Sequence, residues 1–195
     1  MNTLSRLAAA ALFAATIATP AAQAAPVTYN VDPMHTFPSF EADHMGISTW
    51  RGKFDKTTGS ITMDKEAGTG SVTIVVDMKS GDFGLEALNK AARTKELFES
   101  DKYPKATFKG TLEGFTDGAP TRAVGTLEMH GHTNPVTLEI RKFKCIPHPM
   151  FKREACGADI YATIDREQFG MDAGKAYGFS MAVDLRIQVE AIATK

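Results

Sequence analysis

His130 and His132 flank a single glycine, a spacing that puts two imidazoles on one face of a strand. With His35 or His44 they would supply ligands for a transition metal. His132, however, runs into Thr133-Asn134-Pro135, which reads as a turn, and histidines at hairpin ends are mostly solvated or bonded to backbone. Cys145 and Cys156 are separated by ten residues, with His148 between them. That gap is too long for a C-x-x-C redox motif, and two cysteines with one histidine fall one ligand short of a closed zinc site. Asp165-Arg166 closes an alternating run, where an ion pair fixing a turn is a commoner role than a catalytic carboxylate. The chain has no phosphate loop, no G-x-S-x-G elbow and no H-E-x-x-H helix. No catalytic set and no metal site are expected. Two polar residues stand apart from these. His44 shares the apolar side of its run with Phe40 and Ala42, so it is either a satisfied core histidine or a contact for a ligand head group. Arg93 sits in a helical stretch, where a solvated face is the default and an anionic head group the alternative.

The elements that must position these residues alternate with period two. Phe179, Met181, Val183, Leu185, Ile187 and Val189 face one way, and Ser180, Ala182, Asp184, Arg186, Gln188 and Glu190 the other. The pattern recurs around Phe40, Trp50–Phe54, Val72–Met78, Ala106–Leu112, Val136–Ile140 and Ala158–Ile164. Thr57-Thr58-Gly59, Ala67 to Gly70, Thr116 to Pro120 and His132 to Pro135 read as hairpin loops. The spacing of Leu85, Leu88, Ala91, Ala92 and Leu97-Phe98 predicts one helical excursion over Leu85–Tyr103, stopped by Pro104. The sum is eight or nine strands joined mostly by short loops, which favours antiparallel neighbours.

Arg6, the apolar run Leu7–Ile17, Pro20 and Ala22-Gln23-Ala24 have the order of a secretory signal, with cleavage expected before Ala25. The apolar core is shorter than the ~20 residues of a membrane span. Residues 1–24 are thus expected to be removed, leaving 25–195 as a single domain in the periplasm or outside the cell. Removing Arg6 from 22 basic and 23 acidic residues leaves a formal charge of −2, without the basic surplus that nucleic acid or an anionic membrane would attract. No later apolar run is long enough to span a bilayer, so an integral membrane protein is not expected. In an oxidising compartment Cys145 and Cys156 are expected to pair, and closing so short a loop would stabilise the fold by roughly 3 kcal/mol.

Strands with one apolar face hide it in a sandwich or by closing into a barrel, and an eight-stranded barrel is either filled by side chains or holds one small ligand. Gly52, Gly110, Gly125, Ala158 and Ala162 fall on the apolar faces. They are compatible with both outcomes, either offsetting large neighbours or leaving a cavity.

Several stretches together resemble the YceI-like family of exported bacterial proteins. They are Tyr29 to Thr36, Phe40 with His44-Met45-Gly46, Trp50 to Phe54, Thr58 to Ile61, Leu97-Phe98 with Lys102 to Phe108, Val124 to Gly131, Pro135 to Leu138, and Ile164-Asp165-Arg166 with Phe169-Gly170. Their order is more specific than any one motif, and it covers nearly all of the chain after the signal. Gly81-Asp82-Phe83-Gly84 departs from the Ser-Ile-x-Thr type of stretch more usual there. The resemblance implies an all-β fold with one helix: a lipocalin-like, extended, antiparallel eight-stranded barrel with a helical excursion. It implies a cavity for a long apolar molecule (a polyisoprenoid, isoprenoid quinone, fatty amide or lipophilic antibiotic), no enzymatic activity, no cofactor beyond that bound lipid, and for several members a link to stress responses. On this reading Phe40, Trp50, Phe54, Ile74, Phe108, Leu127, Leu138, Ile160, Met181 and Leu185 line the cavity, and His44 and Arg93 meet the head group. The rivals are a metal-dependent or other exported enzyme, and a filled barrel acting on a protein partner through its surface. Oligomeric state is open, a homodimer included.

Overall fold

A computed structural model describes residues 25–195; the expected signal peptide lies outside the described residues. The alternating runs become β1 (Val27–Val31), β2 (Phe37–His44), β3 (Ser48–Phe54), β4 (Thr57–Asp64), β5 (Thr69–Asp77) and β6 (Gly81–Asp82). After the helix α1 (Glu86–Arg93) come β7 (Lys105–Glu113), β8 (Arg122–Met129), β9 (His132–Pro147), β10 (Glu154–Asp165) and β11 (Ala182–Ala193). All neighbours are antiparallel. β1-β4-β5-β7-β8-β9-β10-β11 closes on itself through β1–β11, giving the expected eight-stranded barrel.

The three remaining strands extend one wall. β1 and β2 both lie along β11, with Val31 opposite Ala191 and Phe37 opposite Gln188. β3 continues into β4 and β5 into β6 in the same manner. The breaks at Asp32–Thr36, Asp55–Lys56 and Met78–Ser80 fall side by side, and local bonds cover their backbone. Thr36 Oγ1 donates to the Glu190 carbonyl and accepts the Glu190 N–H; Asp55 N–H donates to the Ser80 carbonyl, and Asp77 N–H to that of Lys56. Beyond this line β2, β3 and β6 form a three-stranded leaf above the ring.

Three local expectations are corrected. Thr57-Thr58-Gly59 is not a loop but the start of β4, because Asp55-Lys56 already accommodates the bend. The β8–β9 turn is His130-Gly131, not His132 to Pro135; both residues have positive φ (53° and 79°), as a two-residue hairpin turn requires, and His132 pairs with Met129. α1 ends at Arg93 instead of continuing to Tyr103. Thr94 caps it by donating to the Ala91 carbonyl, and the chain folds back so that Phe98 N–H bonds Ala92 O and Phe98 reaches the core. The helix is seated by the buried Asn89, whose Oδ1 accepts from Phe83 N–H and whose Nδ2 donates to Asp82.

At the opposite end, Tyr29 Oη donates to Glu154 Oε2 at 2.8 Å and Lys65 Nζ donates to Glu154 Oε1. Burial alone would raise the Glu154 carboxyl, but these two hydrogen bonds and the lysine charge outweigh it and hold it below the ordinary glutamate range. A depressed carboxylate adds stability that is present above its unfolded range and lost as pH falls through the folded value. Glu154→Gln is therefore expected to cost about 1 kcal/mol at neutral pH, since the pair is partly solvated. The difference from wild type should vanish in acid, and urea melts at neutral and acid pH check both ends of that claim.

Cys145 and Cys156 form a disulfide between facing residues of β9 and β10.

Candidate ligand-binding cavity

Inside the ring the apolar faces enclose a cavity of about 200 Å³. β7 contributes Ala106, Phe108 and Leu112; β8 contributes Ala123, Leu127 and Met129; β10 contributes Ala158, Ile160 and Ile164; β11 contributes Leu185, Ile187, Val189 and Ala191. Each set follows the period of a strand. β9 breaks it. Val136, Leu138 and Ile140 point inward, and then Phe143 does, because the register shifts at Asp159/Ile160 and leaves Arg141 as a bulged residue. The freed Arg141 guanidinium lies over the Tyr161 ring, 4.2 Å from its centroid.

Small residues serve two purposes. Gly110 and Gly125 face each other, and a Cβ on Gly125 would lie 2.1 Å from the Lys109 carbonyl oxygen, so the pair permits a close approach of β7 and β8. A Cβ on Gly52 would strike the Phe40 ring at 2.5 Å, so Gly52 seats that ring. Ala158, by contrast, leaves open space in the cavity wall.

Of the residues singled out from the sequence, Phe54, Ile74, Phe108, Leu127, Leu138, Ile160 and Leu185 line the cavity. Phe40, His44, Trp50, Arg93 and Met181 do not. The reason is the leaf above the break line. There Phe40 packs against Phe54 and Phe83 with centroids 5.8 and 5.3 Å apart, and Phe98 against Phe54 at 5.6 Å, so four rings fill this end of the barrel. His44 stacks on Trp50 at 4.4 Å with Phe179 edge-on beyond it. Met181 precedes β11 on the same side, and Arg93 is exposed on α1.

His130 and His132 stay together beside Gly170, but among the described residues neither belongs to a group of three metal-ligating side chains. His35 Nδ1 pairs with Asp32 at 2.8 Å, and His130 Nδ1 donates to the Phe169 carbonyl at 2.9 Å. Asp165 and Arg166 fix a turn as expected, but through backbone and not each other. Asp165 accepts the Glu167 N–H, while Arg166 donates to the carbonyls of Met171 and Ala173.

Polar atoms are few on the cavity wall. Tyr29 is engaged by Glu154 and Thr36 by Glu190. Thr57, 1% exposed, is different: its Oγ1 is buried and has no hydrogen-bond partner among the described residues. Sequence reasoning missed Thr57 because it read the residue as a loop. It missed Phe143 because alternation counted from Val136 puts that residue outside.

Comparison with known proteins places this geometry among others. A family model described as YceI-like domain matches residues 29–191. A UPF0312 protein of Enterobacter sp. strain 638 is 32% identical over 193 residues, covering 97% of this chain and 98% of that one. The Protein YceI of Shigella flexneri is 31% identical over 180 residues, covering 90% and 92%. Among solved structures, the Campylobacter jejuni YCEI protein superimposes with a TM-score of 0.66 at 20% identity, over 78% of this chain and 90% of that one. A polyisoprenoid binding domain from Saccharophagus degradans superimposes with a TM-score of 0.60 at 18% identity, over 86% and 99%.

Proposed function

Since the chain belongs to the YceI-like family, we propose that it carries or sequesters one long apolar molecule, tail inward, within the barrel. The observation that carries this reading is the cavity wall, apolar except for Thr57 and two hydroxyls already engaged. The description of the Saccharophagus degradans neighbour as a polyisoprenoid binding domain supports an isoprenoid-like tail; quinones, fatty amides and lipophilic antibiotics share the required chemistry. The protein works by binding, not catalysis, and does so in the periplasm once its leader is removed. A role in stress responses fits a protein that sequesters lipophilic compounds.

Each CH₂ withdrawn from water contributes about 0.8 kcal/mol, so a tail burying around twelve gains roughly 10 kcal/mol before losses. Ordering costs of several kcal/mol leave an affinity near micromolar, which still permits release. The cavity, about 200 Å³, is small beside the several hundred Å³ usual for a sizeable ligand. A long tail must therefore part Phe54, Phe83 and Phe98 and enter the leaf, bringing Phe40 and Trp50 into contact with it. Burying a hydroxyl unpaired costs about 1–3 kcal/mol. A ligand whose polar group reaches Thr57 removes that cost, which favours a quinone or amide over a plain hydrocarbon.

Native and denaturing mass spectrometry of detergent-free protein tests the proposal. The expected result is a non-covalent adduct that leaves on denaturation and extracts into organic solvent. A bare mass, unchanged after incubation with isoprenoid quinones and fatty amides, would overturn it.

A further inference from the structure

The hairpin joining β9 to β10 has a composition unlike the rest of the chain. Residues 141–153 carry five basic side chains, Arg141, Lys142, Lys144, Lys152 and Arg153, and no acidic one, in a protein whose formal net charge is −1. All five are exposed, and Lys144, Lys152 and Arg153 make no ion pair among the described residues. Among these cations stand Ile146, Met150 and Phe151, exposed by 45%, 77% and 48%. The tip is shaped rather than loose. His148 Nδ1 accepts the N–H groups of both Met150 and Phe151, its own N–H donates to the Arg153 carbonyl, and Lys152 N–H returns to the His148 carbonyl.

The hairpin also projects. β8 pairs with β9 only as far as Glu139, so from Arg141 to Pro147 β9 has β10 on one side and nothing of the sheet on the other. Lysines on such an edge discourage strand-to-strand aggregation, which accounts for Lys142 and Lys144. It does not account for Met150 and Phe151, since exposed apolar side chains at a projecting tip favour association. Apolar side chains ringed by unpaired cations suit one kind of surface: anionic head groups over hydrocarbon, where the charges stay at the interface while the apolar groups enter it.

We infer that the β9–β10 hairpin docks the protein onto anionic phospholipid membranes, with Met150 and Phe151 inserting and Lys144, Lys152 and Arg153 meeting the phosphates. Phe143, Cys156 and Gly157 at the hairpin's base line the cavity, so docking sets that end of the barrel against the bilayer. Whole-chain charge conceals the feature because acidic residues elsewhere cancel it. The inference is independent of what the cavity holds.

The test is sedimentation of the purified protein with vesicles of phosphatidylcholine alone and of equal parts phosphatidylcholine and phosphatidylglycerol. Binding to the mixed vesicles only, weakened by high salt, is expected. K144Q/K152Q should weaken it about twenty-five-fold, at roughly fivefold per lysine. M150S/F151S should weaken it by about tenfold per side chain. All four positions are exposed, so an unchanged melting temperature will show that both variants fold. No binding, equal binding to both vesicles, or undiminished binding of K144Q/K152Q would overturn the inference. Vesicle binding is read without a cavity ligand, so its failure leaves the cavity proposal untouched.

Discussion

Replacing Ala158 by tryptophan is expected to abolish uptake of an apolar tail while leaving the barrel folded. Ala158 lies toward the hairpin end of the cavity wall, paired with Phe143 on β9 and Val189 on β11, both of which also line the cavity. An indole at this position takes up much of a 200 Å³ space. Burial of the tail supplies nearly all the binding free energy in the proposed function, so obstructing it removes the driving force instead of trimming one contact. A loss of at least about a hundredfold in affinity corresponds to only ~3 kcal/mol, a fraction of the roughly 10 kcal/mol at stake. Overpacking costs about 1–3 kcal/mol when side chains must shift; here the new ring enters open volume, and the cost falls at the low end. Titration with a lipophilic fluorescent ligand, beside a thermal melt, reads both quantities. Full affinity in a folded A158W protein would place the ligand elsewhere.

Removing the disulfide by replacing Cys145 and Cys156 with alanine is expected to cost about 3 kcal/mol, with the unfolded chain gaining most of the freedom the bridge denies it. For a domain of this size that lowers the melting temperature by about 6–12 °C. The bridge ties facing residues near the end of the β9–β10 hairpin, where β9 has lost its β8 partner. Its loss therefore falls on a part of the sheet with little other support. Calorimetry of the double variant against wild type checks this, and a melting temperature within a degree or so of wild type would show that strand pairing alone holds the hairpin.

Much of the barrel is legible in side-chain alternation, because a strand with one dry face has few other ways to fold. The run Val183–Val189 places its residues correctly, but such runs fit a sandwich as well as a barrel, and closure is implied only by the family resemblance. What alternation does not carry is where it slips. Arg141 is bulged and reverses the faces beyond it, so Phe143 and Cys145 point inward although Val136 and Ile140 share the other parity. A bulge has no sequence requirement at this site strong enough to announce it. Helical spacing from Leu85 to Phe98 is real, yet the helix stops at Arg93, because Phe98 gains more by turning back to Phe54 and Phe83 than by continuing a short exposed helix. The cavity's extent was illegible for a related reason. Phe40, Trp50 and Met181 have the parity of lining residues, but Phe40 packs on Phe54 and Phe83 and Trp50 stacks on His44 instead, and rings from distant segments meet only in three dimensions. Net charge, finally, averages over the surface and erases the basic hairpin.

The manner of closure bears on how the chain reaches this state. β11 is the last strand in the sequence, and it holds β10 on one side and both β1 and β2 on the other. The N-terminal strands thus cannot complete their pairing until the far end of the chain has arrived. Contacts so distant in sequence slow folding and prolong the interval in which strand edges lie bare. During that interval the β2–β3 ribbon, with Phe40, Trp50 and Phe54 on one face, is an unprotected apolar sheet awaiting its partner. The barrel's weakest moment is its assembly, and the seam with β11 decides whether the newly made chain folds or aggregates.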